Sequence, residues 1–164
     1  MKKLFYLTAT LFTVFTLTSA SKCGSDDKED DPFFHKIIEQ KFSYTVDKTD
    51  NAVIATGKGS VTGEIVNTYN YDANGVFSNM TVSFSFECGS ALVANLVENY
   101  YRDLYSSYNV AVKVEGTAVK GYYSVAADDL KKMNDYDKFV NDMDYLYNSL
   151  KQQADKEIDL SQVQ

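Results

Sequence analysis

Residues 79–88, Asn79-Met80-Thr81-Val82-Ser83-Phe84-Ser85-Phe86-Glu87-Cys88, decide how the chain is read. On an extended backbone Met80, Val82, Phe84, Phe86 and Cys88 share one side, and Asn79, Thr81, Ser83, Ser85 and Glu87 share the other. So regular an alternation describes a strand with one buried and one wet face, the habit of antiparallel sheets. Cys88 takes the inward phase.

Working back toward the N-terminus, Asp72-Ala73-Asn74-Gly75 closes a hairpin, because Asn-Gly readily adopts the positive φ that such turns need. Residues 61–71 read as the preceding strand, weakened by Gly63, and residues 52–56 as the one before it. Gly57-Lys58-Gly59-Ser60 lacks the earlier glycine and the following helix of a phosphate loop, so it reads as a turn. Residues 41–47 place Phe42, Tyr44 and Val46 on one face of a first strand, followed by the turn cluster 47–51.

Working forward, Gly89-Ser90 breaks the strand and Ser90 is an N-cap candidate for a helix to about residue 107. Leu92, Val93, Leu96, Val97, Tyr100, Tyr101, Leu104 and Tyr105 form its apolar stripe. Val110, Val112 and Val114 restore the period of two, Glu115-Gly116-Thr117 turns, and residues 118–124 return as a strand. From Leu130 to Leu150 apolar residues follow a helical three-and-four spacing, and the tail from Gln152 is expected to fray. The fold class is α+β: an antiparallel sheet of about six strands, one inserted helix and a long C-terminal helix, both packed on one face.

The chain has 164 residues, thirteen Tyr, ten Phe, no Trp and one His. Its net charge is −7, and three of its basic residues, Lys2, Lys3 and Lys22, lie before Cys23. An acidic remainder repels phosphate backbones, which argues against nucleic acid as a partner. No cofactor is expected, and a single His leaves little for metal or acid–base chemistry. Asp135, Asp137, Asp142 and Asp144 lack the sharp turn and closing bidentate carboxylate of a calcium loop. On one helix Asp135 and Asp142 would stand about 10 Å apart, too far to share an ion, so they read as a solvated face.

The N-terminus has the three parts of an export signal: positive charge at Lys2-Lys3, an apolar run from Leu4 to Leu17, and small residues Thr18-Ser19-Ala20. The segment Leu17-Thr18-Ser19-Ala20-Ser21-Lys22-Cys23, followed by Gly24-Ser25-Asp26-Asp27-Lys28-Glu29-Asp30-Asp31, resembles the signal region of bacterial Gram-negative lipoproteins. Lys22 and Ala20 stand where that family carries a small and a Leu-like residue. The resemblance covers residues 1–32 only and implies cleavage before Cys23, acylation of Cys23 and anchoring in the outer membrane. In some lineages of that family a similar acidic run marks display at the cell surface.

The resulting division is 1–22 signal peptide, 23–35 lipidated cysteine and acidic tether, and 36–164 a single α+β domain. Residues 24–32, too charged to bury anything, reach on the order of 30 Å when extended. Two other schemes stay open. In one, the protein is soluble in the periplasm or secreted, with a Cys23–Cys88 disulfide. In the other, it is a small carboxylate-dependent hydrolase, which needs a concave acidic pocket; a flat face lined by Asn79, Thr81, Ser83 and Ser85 counts against that.

No catalytic constellation is found, and the expectation is a non-catalytic binding or accessory module with a protein or carbohydrate ligand. Tyrosine is the residue type in excess, and its apolar ring and polar tip suit both core edges and binding surfaces. Tyr100, Tyr101, Tyr105, Tyr108, Tyr122 and Tyr123 are the candidate ligand-binding residues. Adjacent strand residues face opposite ways, so one of Tyr122 and Tyr123 points outward.

Overall fold

The computed structural model describes residues 31–104, 110–131 and 141–161. Cys23, the signal segment, Tyr105, Tyr108, Asp135 and Asp137 lie outside the described residues. Six strands form one antiparallel sheet: β1 (Phe42–Lys48), β2 (Ala52–Gly59), β3 (Glu64–Tyr71), β4 (Phe77–Glu87), β5 (Ala111–Glu115) and β6 (Ala118–Ala126). The described helices are α1 (Pro32–Ile38), α2 (Ala91–Leu104), α3 (Ala127–Lys131) and α4 (Met143–Ser161).

The spatial order is β1-β2-β3-β4-β6-β5, so a four-stranded meander is followed by a crossover through α2 to the far edge. β6 then returns into the gap between β5 and β4.

Strand register explains which residues form the core. Tyr44, Gly57, Ile65, Phe84, Gly121 and Val112 stand side by side across the whole sheet on one face. Two glycines in that row are filled by neighbouring aromatic rings. A Cβ on Gly57 would lie 2.5 Å from Tyr44 Cε1, and one on Gly121 would lie 2.0 Å from Phe84 Cζ. Each ring therefore lies flat over the strand beside it, a device that lets a large side chain pack without raising the layer above.

Over this face the helices close one core. Phe34 and Ile37 of α1, Val93, Ala94, Val97 and Tyr101 of α2, and Leu146, Leu150 and Ala154 of α4 join the inward strand residues in a single cluster. Tyr101 stacks on Phe86 with ring centroids 5.1 Å apart and planes 14° from parallel, and lies 4.8 Å from the Phe84 ring.

Local capping sets where the helices begin. Asp31 Oδ1 accepts from the N–H of Phe33 at 2.8 Å and of Phe34 at 3.3 Å, with Pro32 in the first turn, a position that suits its fixed φ. Ser90 Oγ accepts from Val93 N–H at 3.2 Å, and Asp142 Oδ1 from Tyr145 N–H at 2.9 Å.

Several expectations need correction. Residues 32–35, placed in the tether by the sequence, lie in α1, where Asp31 caps the helix and Phe34 is buried. Gly57-Lys58-Gly59 is not a turn but the end of β2; the turn follows it, with Gly63 at φ 77° and β3 starting at Glu64. Asp142 caps α4 rather than lying on a helix face, since Asn141 and Asp142 are not helical. The C-terminal stretch continues as helix to Ser161 rather than ending near Gln152, and Ala154 is buried. Leu92, counted in the α2 stripe, is exposed.

Candidate binding face

Among the described residues, the buried helix side chains join the inward strand residues in one cluster on one side of the sheet, and the other side is open. The same register that aligns the core aligns this open face. Its central row is Thr45, Thr56, Val66, Ser83, Tyr122 and Ala111, running from β1 to β5. The row beside it is Ile54, Thr68, Thr81 and Ser124, with Asp47 at the β1 end. Asn70 and Asn79 stand opposite each other in the next, and Asn79 Nδ2 donates to Ser124 Oγ at 3.1 Å.

In a chain with 23 acidic and 16 basic residues, these central positions carry hydroxyls, amides and a few apolar groups, with Asp47 at the margin. Charge gathers instead in the row at the far end, where Lys58, Glu64, Lys120 and Lys113 align and Lys120 Nζ reaches Glu115 Oε2 at 2.6 Å. That contact holds the Glu115 carboxyl below its ordinary range.

Tyr122 is the large aromatic of this face and is 52% exposed. Its cross-strand neighbours are Ser83 and Ala111, both too small to cover the ring. A phenol standing on a floor of hydroxyls offers an apolar plane and a polar tip to whatever lies on the sheet.

At the β2–β3 turn end the face dips into an open depression of about 440 Å³ lined by Lys58, Gly59, Thr62, Gly63, Glu64, Ser85 and Glu87. The turn is held from beneath by a residue the sequence pattern does not reveal. Gln40 is buried, and its Oε1 accepts from Val61 N–H at 3.1 Å and Thr62 N–H at 3.0 Å. A side-chain amide replacing a missing ladder partner leaves no periodicity to detect.

The other tyrosines divide. Tyr101 and Tyr123 are each 4% exposed and belong to the core, so neither can meet a ligand as candidate binding residues would. Tyr100 is half-buried edge-on against the rings of Phe34 and Tyr101. Burial pushes the Tyr101 hydroxyl well above its ordinary range. Tyr71 is shifted the same way, by burial first and by the Asp142 carboxylate second.

Cys88 is 1% exposed, and its Sγ lies 3.8 Å from the Phe86 carbonyl. Burial first and the Glu87 carboxylate second push its thiol up to about 11, which keeps it protonated and a poor nucleophile at neutral pH. Asp144 is committed to an ion pair with Lys48. No group of three or more metal-ligating side chains stands together among the described residues. Among those residues no helix is long and apolar enough to cross a membrane. Comparison of the sequence with protein-family models and with curated proteins returns no match.

Proposed function

We propose that the chain is a lipoprotein held in the outer membrane by acyl chains on Cys23, displayed at the cell surface, and that its domain is a non-catalytic module that binds a neutral glycan. The observation that carries the binding reading is the uncharged, hydroxyl-rich centre of the open face around exposed Tyr122 in an otherwise acidic protein. A neutral polysaccharide presents hydroxyls to the Thr, Ser and Asn side chains and C–H faces to the tyrosine ring. A protein partner would instead favour a patch rich in aromatics, Met and Arg with an apolar centre.

Two features support the anchor. The burial of Cys88 argues against a disulfide with Cys23, because the two Cβ atoms would have to come within about 4.5 Å inside a filled core. The chain also enters the domain through α1, whose Phe34 and Ile37 pack on the helix side. A tether with the reach of the charged run before α1 leaves the open face free to turn away from the membrane.

The hydrolase reading keeps one specific observation, the pair Glu64 and Glu87 in the depression. It requires that Glu64→Gln or Glu87→Gln abolish a glycan cleavage that the wild type performs.

The experiments separate anchor from ligand. The intact mass of membrane-fraction protein should equal residues 23–164 plus a lipid increment, absent in Cys23→Ala; an unlipidated chain beginning at Ser21 contradicts the anchor. In affinity gels containing neutral glucan, mannan or galactan, one polymer should retard the wild type. Tyr122→Ala should weaken that binding about tenfold, equivalent to about 1.4 kcal/mol. Equal retardation of both proteins contradicts the assignment of the face.

A further inference from the structure

The two edges of the sheet are built differently. β5 is short, and its Val112 carbonyl accepts from Arg102 Nη2 at 3.1 Å, which occupies one acceptor of that edge. β1 is seven residues long and has β2 on one side and no strand on the other among the described residues. The bonds Thr49 N–H to Ala52 C=O and Ser60 N–H to Lys41 C=O, both 2.9 Å, fix the phase of β1. Odd-numbered residues turn their main chain toward β2, so by the alternation of an antiparallel ladder Phe42 and Val46 direct theirs outward. An edge of this kind is a template for a further strand.

We propose that the β1 edges of two copies of this chain pair antiparallel about a two-fold axis through Tyr44, joining their sheets into one. An axis perpendicular to the sheet keeps like faces together, so only registers that pair odd with odd and even with even are allowed. Centred on Tyr44, Phe42 of each copy stands opposite Val46 of the other, and these outward-facing residues exchange both N–H···O bonds. The apolar rows of the covered face then run on across the axis.

The open face selects this register over its neighbours by charge. Lys41 stands opposite Asp47 of the second copy, and the symmetry repeats the pair; both side chains are exposed. Moving the centre to Thr45 sets Lys41 against Thr49 and buries Lys48 beside Phe42. Moving it to Ser43 sets Asp47 against Glu39. Charged residues at the ends of an edge strand ordinarily discourage pairing, but here opposite signs are placed where the two-fold brings them together.

The test is sedimentation equilibrium of the full-length chain in detergent across the micromolar range, with circular dichroism to check the fold. Wild type should dimerise. Lys41→Asp sets Asp against Asp and Asp47→Lys sets Lys against Lys, and each should weaken association about tenfold or more. The double exchange Lys41→Asp/Asp47→Lys should restore it. A mixture of Ser43→Cys and Thr45→Cys chains should form a disulfide-linked heterodimer, since these positions face each other as a non-hydrogen-bonded pair, which neither chain does alone. A wild type that stays monomeric, a dimer indifferent to all three charge variants, or pairing only with a different protein overturns the proposal.

Discussion

On its covered side β4 presents Val82, Phe84 and Phe86, locked beneath α2 by the Tyr101 ring; on its open side the same strand presents Thr81, Ser83 and Ser85 with no helix above them among the described residues. Backbone and register are common to both sides, so the difference is entirely one of side chains. The covered side is specified by shape, down to glycines that receive a neighbour's ring. The open side is specified by what it omits: charge at its centre and bulk around Tyr122. On the proposal made above, that neutral, hydroxyl-bearing centre around an exposed tyrosine is where a glycan would lie.

The comparison breaks most severely at Phe86. Phe86→Ala removes a fully buried ring stacked on Tyr101 and should cost about 3–5 kcal/mol, read from the shift in the urea midpoint. Gly121→Val tests the filled-glycine device, since its Cβ would collide with Phe84 Cζ. A loss of about 1–3 kcal/mol is expected, relieved in a double-mutant cycle with Phe84→Leu.

Alkaline pH should lower stability through buried groups of the covered side. Cys88 is raised from 9.0 to about 11, and Tyr71 and Tyr101 are raised above their ordinary 10.0. Between the ordinary and the raised values the folded protein binds more protons than the unfolded chain, so stability is full below about pH 9 and falls as pH rises through that window. Urea titrations from pH 7 to 11 should show the decline, and a thiol reagent at pH 8 should label Cys88 only after unfolding. At the open face the expected effects are smallest: Thr68→Ala and Thr81→Ala should each change stability by less than about 0.5 kcal/mol.

Much of the sheet was legible because residues 79–88 alternate regularly, the register shift at Phe77 lying before them, and the Asn74-Gly75 turn names its own geometry, with Gly75 at φ 76°. What escaped follows from competing uses of the same residues. Gly57 reads as punctuation when only its freedom is considered, whereas its missing Cβ makes room for Tyr44. Pro32 and Asp31 end an acidic run and so resemble linker, yet the same pair forms a helix start. Asp142 falls in a helical spacing but bonds as a cap, because a short carboxylate satisfies free N–H groups better than it continues a helix. The candidate face was half legible. Parity required one of Tyr122 and Tyr123 to point outward; the strand register was needed to assign Tyr123 to the core and to line up hydroxyls from five strands around Tyr122.

The division of labour between the two faces is tested most directly by amide chemical-shift mapping of the labelled chain, titrated with oligosaccharides cut from the polymer that retards it. The account predicts perturbations at Thr56, Thr68, Thr81, Ser83 and Tyr122, with the helix side, including Val97 and Leu150, unmoved. Perturbations centred on α2 or α4 with the open face silent would contradict it.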